Sequence, residues 1–275
     1  MWNSCSAGGR SGRWSSEPGG CLRVDRGLTP TNALRVPTGF IRAFATLLTS
    51  LLLRLAGMAS ITAVDSSHLP SDLPALEAYI ATHPTNNLAL IRTALEYHNQ
   101  AAFGGKAARK LIQQTKDCLE KVLAVEPRNA FAKALLGSAV VVSAREPFWP
   151  GAKIKRVRDG IVIMDEAIAM NPDDADARFT RASNNLFLPG FFDRRDVVEE
   201  DFQWLQSRAD RGEFPVAFRQ YVFLYHGLAR KQWDEKERAE RLWKAGLAID
   251  PKTKVAEEIR KELAGKTALS ILDKE

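Results

Sequence analysis

The chain has 275 residues, 45% of them hydrophobic and 26% charged, with a formal net charge of +6 at pH 7. That is ordinary globular composition, and about 200 residues of body suffice for a continuous core. Residues 1–57 hold seven Arg, no Lys and only Glu17 and Asp25, so residues 58–275 carry a net charge of just +1. A body this close to neutral lacks the concentrated positive field that general nucleic-acid binding needs.

The N-terminal 57 residues read as a basic leader. Ser4 to Gly27 is rich in Gly and Ser and is expected to be disordered. Ala43 to Leu53 is uncharged, follows Arg35 and Arg42, and leads into Ala56-Gly57-Met58-Ala59. Basic start, apolar centre and small-residue exit are the parts of a secretory signal peptide. The apolar stretch is too short for a membrane span of about 20 residues, and Arg54 would interrupt an extension. Leu55-Ala56-Gly57 is similar to the start of a lipoprotein box, but Met58 stands where the lipidated cysteine belongs. The expectation is export, to a periplasmic or secreted location. The rivals are an organelle transit peptide and a cytoplasmic protein whose translation starts near Met58. Residues 58–71 read as a linker.

From residue 72 the chain repeats a phrase. Val122-Leu123-Ala124-Val125-Glu126-Pro127, Ala167-Ile168-Ala169-Met170-Asn171-Pro172 and Gly246-Leu247-Ala248-Ile249-Asp250-Pro251 share one grammar, and Tyr79 to Pro84 is a looser copy. Each ends a helical stretch at a proline, which cannot continue the helix. Eight places before each proline the residue is bulky (Leu76, Leu119, Met164, Trp243). Together with the positions four and five before the proline, it forms one apolar stripe. The pattern predicts helices near 72–83, 87–101, 106–125, 129–144, 153–170, 174–187, 194–209, 216–230, 233–249 and 252–264. Self-similarity at this scale means stacked helical hairpins. The last helix is apolar on one stripe and charged elsewhere, as a capping helix must be.

The phrase from Ala239 through Trp243 and Gly246 to Pro251, with Leu136-Gly137 and Tyr97, resembles the tetratricopeptide-repeat family over roughly residues 70 to 265. The resemblance implies an all-α, right-handed α-solenoid of about four TPR-like hairpins (residues 72–265) with a C-terminal capping helix, followed by a tail, 266–275. It departs from the family in step length: Pro84, Pro127 and Pro172 stand 43 and 45 residues apart, against about 34 in the family. The aromatic that usually opens the first helix is replaced by Leu90, Lys133 and Arg178.

The extra residues fall inside the hairpins, around Phe103, at Glu146 to Gly151 and at Leu188 to Phe192. Equivalent loops of a stacked array emerge on one edge. That edge would carry Phe103, Phe148, Trp149, Phe191 and Phe192, flanked by Arg145, Arg194 and Arg195, the composition of interface hot spots. The competing reading is that these aromatics close a satellite core under the loops. Asn184 and Asn185 stand where a repeat normally places apolar core. They either line a groove and grip a peptide backbone or accommodate the neighbouring loop. The candidate partner-binding residues are therefore Phe148, Trp149, Asn184, Asn185, Phe191, Phe192, Arg194 and Arg195.

Reactive chemistry is sparse. His68, His83, His98 and His226 include no pair at helical zinc-ligand spacing. Gly104-Gly105-Lys106 lacks the flanking residues of a phosphate loop. Cys118 reads as a small packing residue and Asp173-Asp174 as a helix cap. Glu199-Glu200-Asp201 reads as a solvated face rather than a metal site. No catalytic residue, metal ligand or cofactor site is nominated. The expectation is a non-enzymatic adaptor for a protein or peptide, with a small-molecule or lipid carrier enclosed by the solenoid as the alternative.

Overall fold

The computed structural model describes residues 68–102, 104–146 and 149–265. The leader, Phe103, Phe148 and the tail 266–275 lie outside the described residues, and with them the apolar stretch Ala43 to Leu53. Among the described residues all regular secondary structure is helical, in ten α-helices: α1 (Leu73–Thr82), α2 (Asn87–Ala102), α3 (Ala108–Val125), α4 (Ala130–Val142), α5 (Pro150–Met170), α6 (Ala175–Leu186), α7 (Arg195–Asp210), α8 (Val216–Gln232), α9 (Lys236–Ile249) and α10 (Lys254–Leu263). Short 3₁₀ turns, Ser143–Arg145 and Gly190–Phe192, sit in the α4–α5 and α6–α7 loops. No helix among these residues is long and apolar enough to cross a membrane.

The proline phrase acts through a cap two residues further on. The side chain of Asn86 accepts a hydrogen bond from the Ala89 amide, Asn129 from Ala132, Asp174 from Ala177 and Thr253 from Ala256, at 2.8–3.0 Å. These caps satisfy amides that the first helical turn leaves without partners. Pro84, Pro127, Pro172 and Pro251 therefore stop one helix, and the residue two places later starts the next. Pro215, the junction inside the longest gap, is followed directly by α8 with no side-chain cap.

Consecutive helices pack in pairs, α2 on α3, α4 on α5, α6 on α7 and α8 on α9. Alternate helices also touch in turn: α2 with α4, α4 with α6, α6 with α8 and α8 with α10. The bulky stripe positions Leu76, Leu119 and Met164 are fully buried, and Trp243 nearly so. The main core runs from Ala101 of α2 to Ile259 of α10. At its centre the Phe179 ring meets Phe202, Phe218 and Tyr225 at centroid distances of 6.3, 5.4 and 5.3 Å.

Glycine sets the closest crossing. A Cβ on Gly137 would lie 2.8 Å from the Gly160 carbonyl oxygen, and one on Gly160 2.6 Å from that of Gly137. Because the obstacle on each side is backbone, α4 and α5 touch through bare main chain. Gln220 docks the last helix: its amide donates to the Asp250 carbonyl at 2.6 Å and its oxygen accepts from Thr253 at 2.6 Å.

One expectation needs correction. Glu199-Glu200-Asp201 is not a solvated face. Asp201 is fully buried and accepts from Arg178 at 2.7 Å and from Arg181 at 2.7 and 2.8 Å, while Glu199 pairs with Arg230. Val198 and Phe202 set the buried stripe of α7, and Asp201 joins it because Arg178 and Arg181 of α6 draw its carboxylate inward. Only Glu200 of the three is exposed.

Candidate functional site

The candidate residues divide between two neighbourhoods and the core. Asn184 is 1% exposed and belongs to a buried polar chain linking three alternate helices. The Ser138 hydroxyl of α4 donates to Asn184 Oδ1 at 3.0 Å and meets His98 Nε2 of α2 at 2.8 Å. Since the hydroxyl gives its one proton to Asn184, it accepts from His98, which fixes the Nε2–H tautomer. The Asn184 amide donates back to the Thr180 carbonyl at 2.8 Å. Burial, with the nearby Arg145 charge, pushes the His98 pKa down to about 4, so the ring is neutral at pH 7.

Asn185 is a different case one residue on. It is 3% exposed, yet neither Oδ1 nor Nδ2 has a hydrogen-bond partner. It lines a cleft of about 230 Å³ that also takes in Arg194, Arg195 and Trp233. The α6–α7 loop forms one wall, and the end of α8 forms the other. Arg194 donates to Asp165 at 2.5 Å, but its Nε is buried without a partner. Arg195 stacks on Trp233 at 4.7 Å and pairs with Glu235 at 3.2 Å. The cleft thus gathers an unpartnered amide, a partly unpartnered guanidinium and a second guanidinium 4.7 Å from an indole ring.

Local backbone geometry builds the rim. Asp193 and Asp234 are the two non-glycine residues with positive φ among those described, at 54° and 62°. Asp tolerates the left-handed region better than most side chains. Asp193 ends the Gly190–Phe192 turn and lines the cleft, and Asp234 follows Trp233 at the end of α8. The sequence reading missed Trp233, Gln232, Asp193 and Glu235. Trp233 directly before an Asp, between two helical stretches, was the available signal.

The loop aromatics are not equivalent. Trp149 is 72% exposed and Phe191 45% exposed, whereas Phe192 packs partly against the main core and lies 4.3 Å from the Phe191 ring. Phe148 lies outside the described residues. Arg145 donates to the Ala102 carbonyl at 2.7 Å, tying the α4–α5 loop to the end of α2. Its guanidinium is desolvated enough to bring its pKa down to about 10. Trp149 is not among the residues that line the cleft of Asn185, Arg194 and Arg195.

Reactive groups elsewhere are quiet. Burial pushes the Cys118 thiol up to about 11, which keeps it protonated and poorly nucleophilic. No cluster of three His, Cys, Asp or Glu among the described residues is arranged to hold a metal ion. Compared with known proteins, the chain matches no protein-family model, no curated protein and no solved structure.

Proposed function

We propose that this chain is a non-enzymatic scaffold that binds a protein or peptide segment at the cleft formed by Asn185, Arg194, Arg195 and Trp233. The observation that carries this reading is Asn185, buried with both amide atoms unpartnered at the wall of an open cleft. Native proteins pair nearly all buried polar groups, so an orphaned amide beside a cavity marks where a partner's hydrogen bonds belong. A peptide backbone offers one C=O and one N–H, the complement of a carboxamide. The exposed Phe191 ring and the Arg195–Trp233 stack supply the aromatic and arginine anchors typical of interface centres.

In the same reading the helices form a right-handed α-solenoid of about four TPR-like hairpins capped by α10. The alternating contacts among α2, α4, α6, α8 and α10 support that arrangement. The capped proline phrase at four junctions supports it too. Export directed by the leader remains part of the proposal, resting on residues 35–59 of the sequence alone.

The test is selection of a random peptide library on the full-length protein. Enriched peptides are synthesised and titrated against the wild-type chain and the double variant Asn185→Leu, Arg195→Glu. The expected result is a shared peptide motif whose affinity falls at least about tenfold in the variant, with helicity and melting temperature retained. Absence of enrichment, or peptides that bind both proteins equally, would remove the cleft from the proposal.

A further inference from the structure

A second cleft, of about 360 Å³, lies between α7, α8 and α9. Its floor is Phe223 and His226 of α8, and its far wall is Leu242 and Arg241 of α9. His226 is 2% exposed, stacks on Phe202 at 5.5 Å with the rings 13° apart, and has no hydrogen-bond partner at either ring nitrogen. Burial keeps it neutral at pH 7. A neutral imidazole has one N–H donor and one acceptor nitrogen, and here both are withheld from water and from the protein.

The charged residues that line the cleft are Arg230, Arg238, Arg241 and Asp210. Arg230 and Arg238 are already paired, with Glu199 and Glu235. Asp210, on the α7 side, is bonded to Gln206 at 3.5 Å. Arg241 is exposed and is the one lining cation with no ion-pair partner among the described residues. The geometry therefore combines an apolar wall, a buried neutral hydrogen-bonding group and a mouth that favours a single negative charge. Its volume is at the lower end for small-molecule sites.

We propose that this cleft binds a small organic monoanion: its carboxylate at Arg241 and Arg238, its apolar body against Phe223 and Leu242, and a hydroxyl at its inner end bonded to His226. A hydroxyl both donates and accepts, so it fits either tautomer of the ring. The site is separate from the peptide cleft and does not depend on the scaffold reading.

The probe is 4-hydroxyphenylacetate, titrated into the full chain carrying ¹³C at the histidine Cε1 positions. The His226 resonance is identified by its loss in His226→Phe. The expected result is a saturable shift of that resonance with a dissociation constant below about 1 mM. Affinity should weaken at least about tenfold with Arg241→Ala, and by a similar factor when the probe is its methyl ester. Phenylacetate, lacking the hydroxyl, should bind more weakly to the wild type, and His226→Phe should bind the two acids equally. Arg241 is exposed, so its variant tests the site without risk to the fold. No saturation by about 10 mM overturns the proposal, as does affinity indifferent to Arg241 and to the ester. Equal binding of inorganic phosphate would reduce the site to a surface anion contact and likewise overturn it.

Discussion

Asn184 and Asn185 are chemically identical neighbours on one helix, and the contrast between their surroundings separates structural polarity from polarity available for binding. Asn184 joins His98 and Ser138 in a chain across α2, α4 and α6 in which each link has a partner. Asn185 of α6 and His226 of α8 are just as buried and have none. A paired buried group specifies how helices sit against one another, while an unpaired one costs stability until something satisfies it. The first region is what the fold needs. The second is where, in our proposal, the fold leaves hydrogen bonds for another molecule.

The strongest way to probe the paired side is at Asp201. Replacing it with Leu takes the buried carboxylate from Arg178 and Arg181, which are 8% and 9% exposed at the side chain and keep only the more exposed Glu200 and Asp165 as ion-pair partners. Loss of one member of a buried ion cluster costs about 3–5 kcal/mol. Urea denaturation of Asp201→Leu should lose that much, and a change below about 1 kcal/mol would mean that the arginines find water instead.

Acid should act on both regions at once. His98 and His226 have folded pKa values lowered to about 4, against about 6.5 unfolded. A depressed histidine pKa means that the unfolded chain binds protons first, so stability is full above about pH 6.5 and falls as pH drops toward about 4. Each ring contributes on the order of 3 kcal/mol to that fall. Glu96 and Asp174, whose pKa values burial raises, gain stability on protonation and blunt the lower end of the window. In a pH series of denaturation midpoints, His226→Phe should remove roughly half the slope between about pH 6.5 and 4. An unchanged slope would place His226 in contact with water.

The helices were legible because their signals are local. All ten lie within three residues of the expected spans, since proline punctuation, the buried stripe at Leu76, Leu119, Met164 and Trp243, and the caps each act within a few residues. α5 starts at Pro150 rather than residue 153 because proline is suited to the first turn of a helix. The site was less legible because it depends on pairing across helices. Asn184 and Asn185 stood out together, but nothing in their own segment tells which one Ser138 reaches. Glu199 to Asp201 misled for the same reason: their partners are Arg178, Arg181 and Arg230, 20 to 31 residues away. His226 gave no signal at all, since its interest lies in what it lacks.

Packing offers a smaller perturbation that leaves polarity untouched. Gly160→Ala drives a Cβ to 2.6 Å from both the Gly137 carbonyl oxygen and a Val141 methyl. The backbone on the far side cannot rotate away, so α4 and α5 must separate, at about 1–3 kcal/mol. Because Val141 and Ser138 share a helix, the shift should also lengthen the His98–Ser138–Asn184 chain. The ring resonances of His98 should move while those of His226 stay. Equal movement of both would mean that the two regions are mechanically one.

The sharpest comparison uses the same substitution at adjacent residues. Asn184→Leu removes the acceptor of Ser138 and leaves that hydroxyl, with His98 behind it, in a dry site, which costs about 1–3 kcal/mol. Asn185→Leu removes two polar atoms that have no partner to abandon, so it should change stability by less than about 0.5 kcal/mol or raise it. Thermal unfolding of the two single variants gives the difference directly, and a peptide selected on the wild type supplies the second axis. Asn184→Leu should lower stability and keep peptide affinity once folded, whereas Asn185→Leu should keep stability and lose affinity. Equal losses of stability would mean that the Asn185 amide is held by water within the fold, and the distinction between the two regions would then collapse into one of solvation.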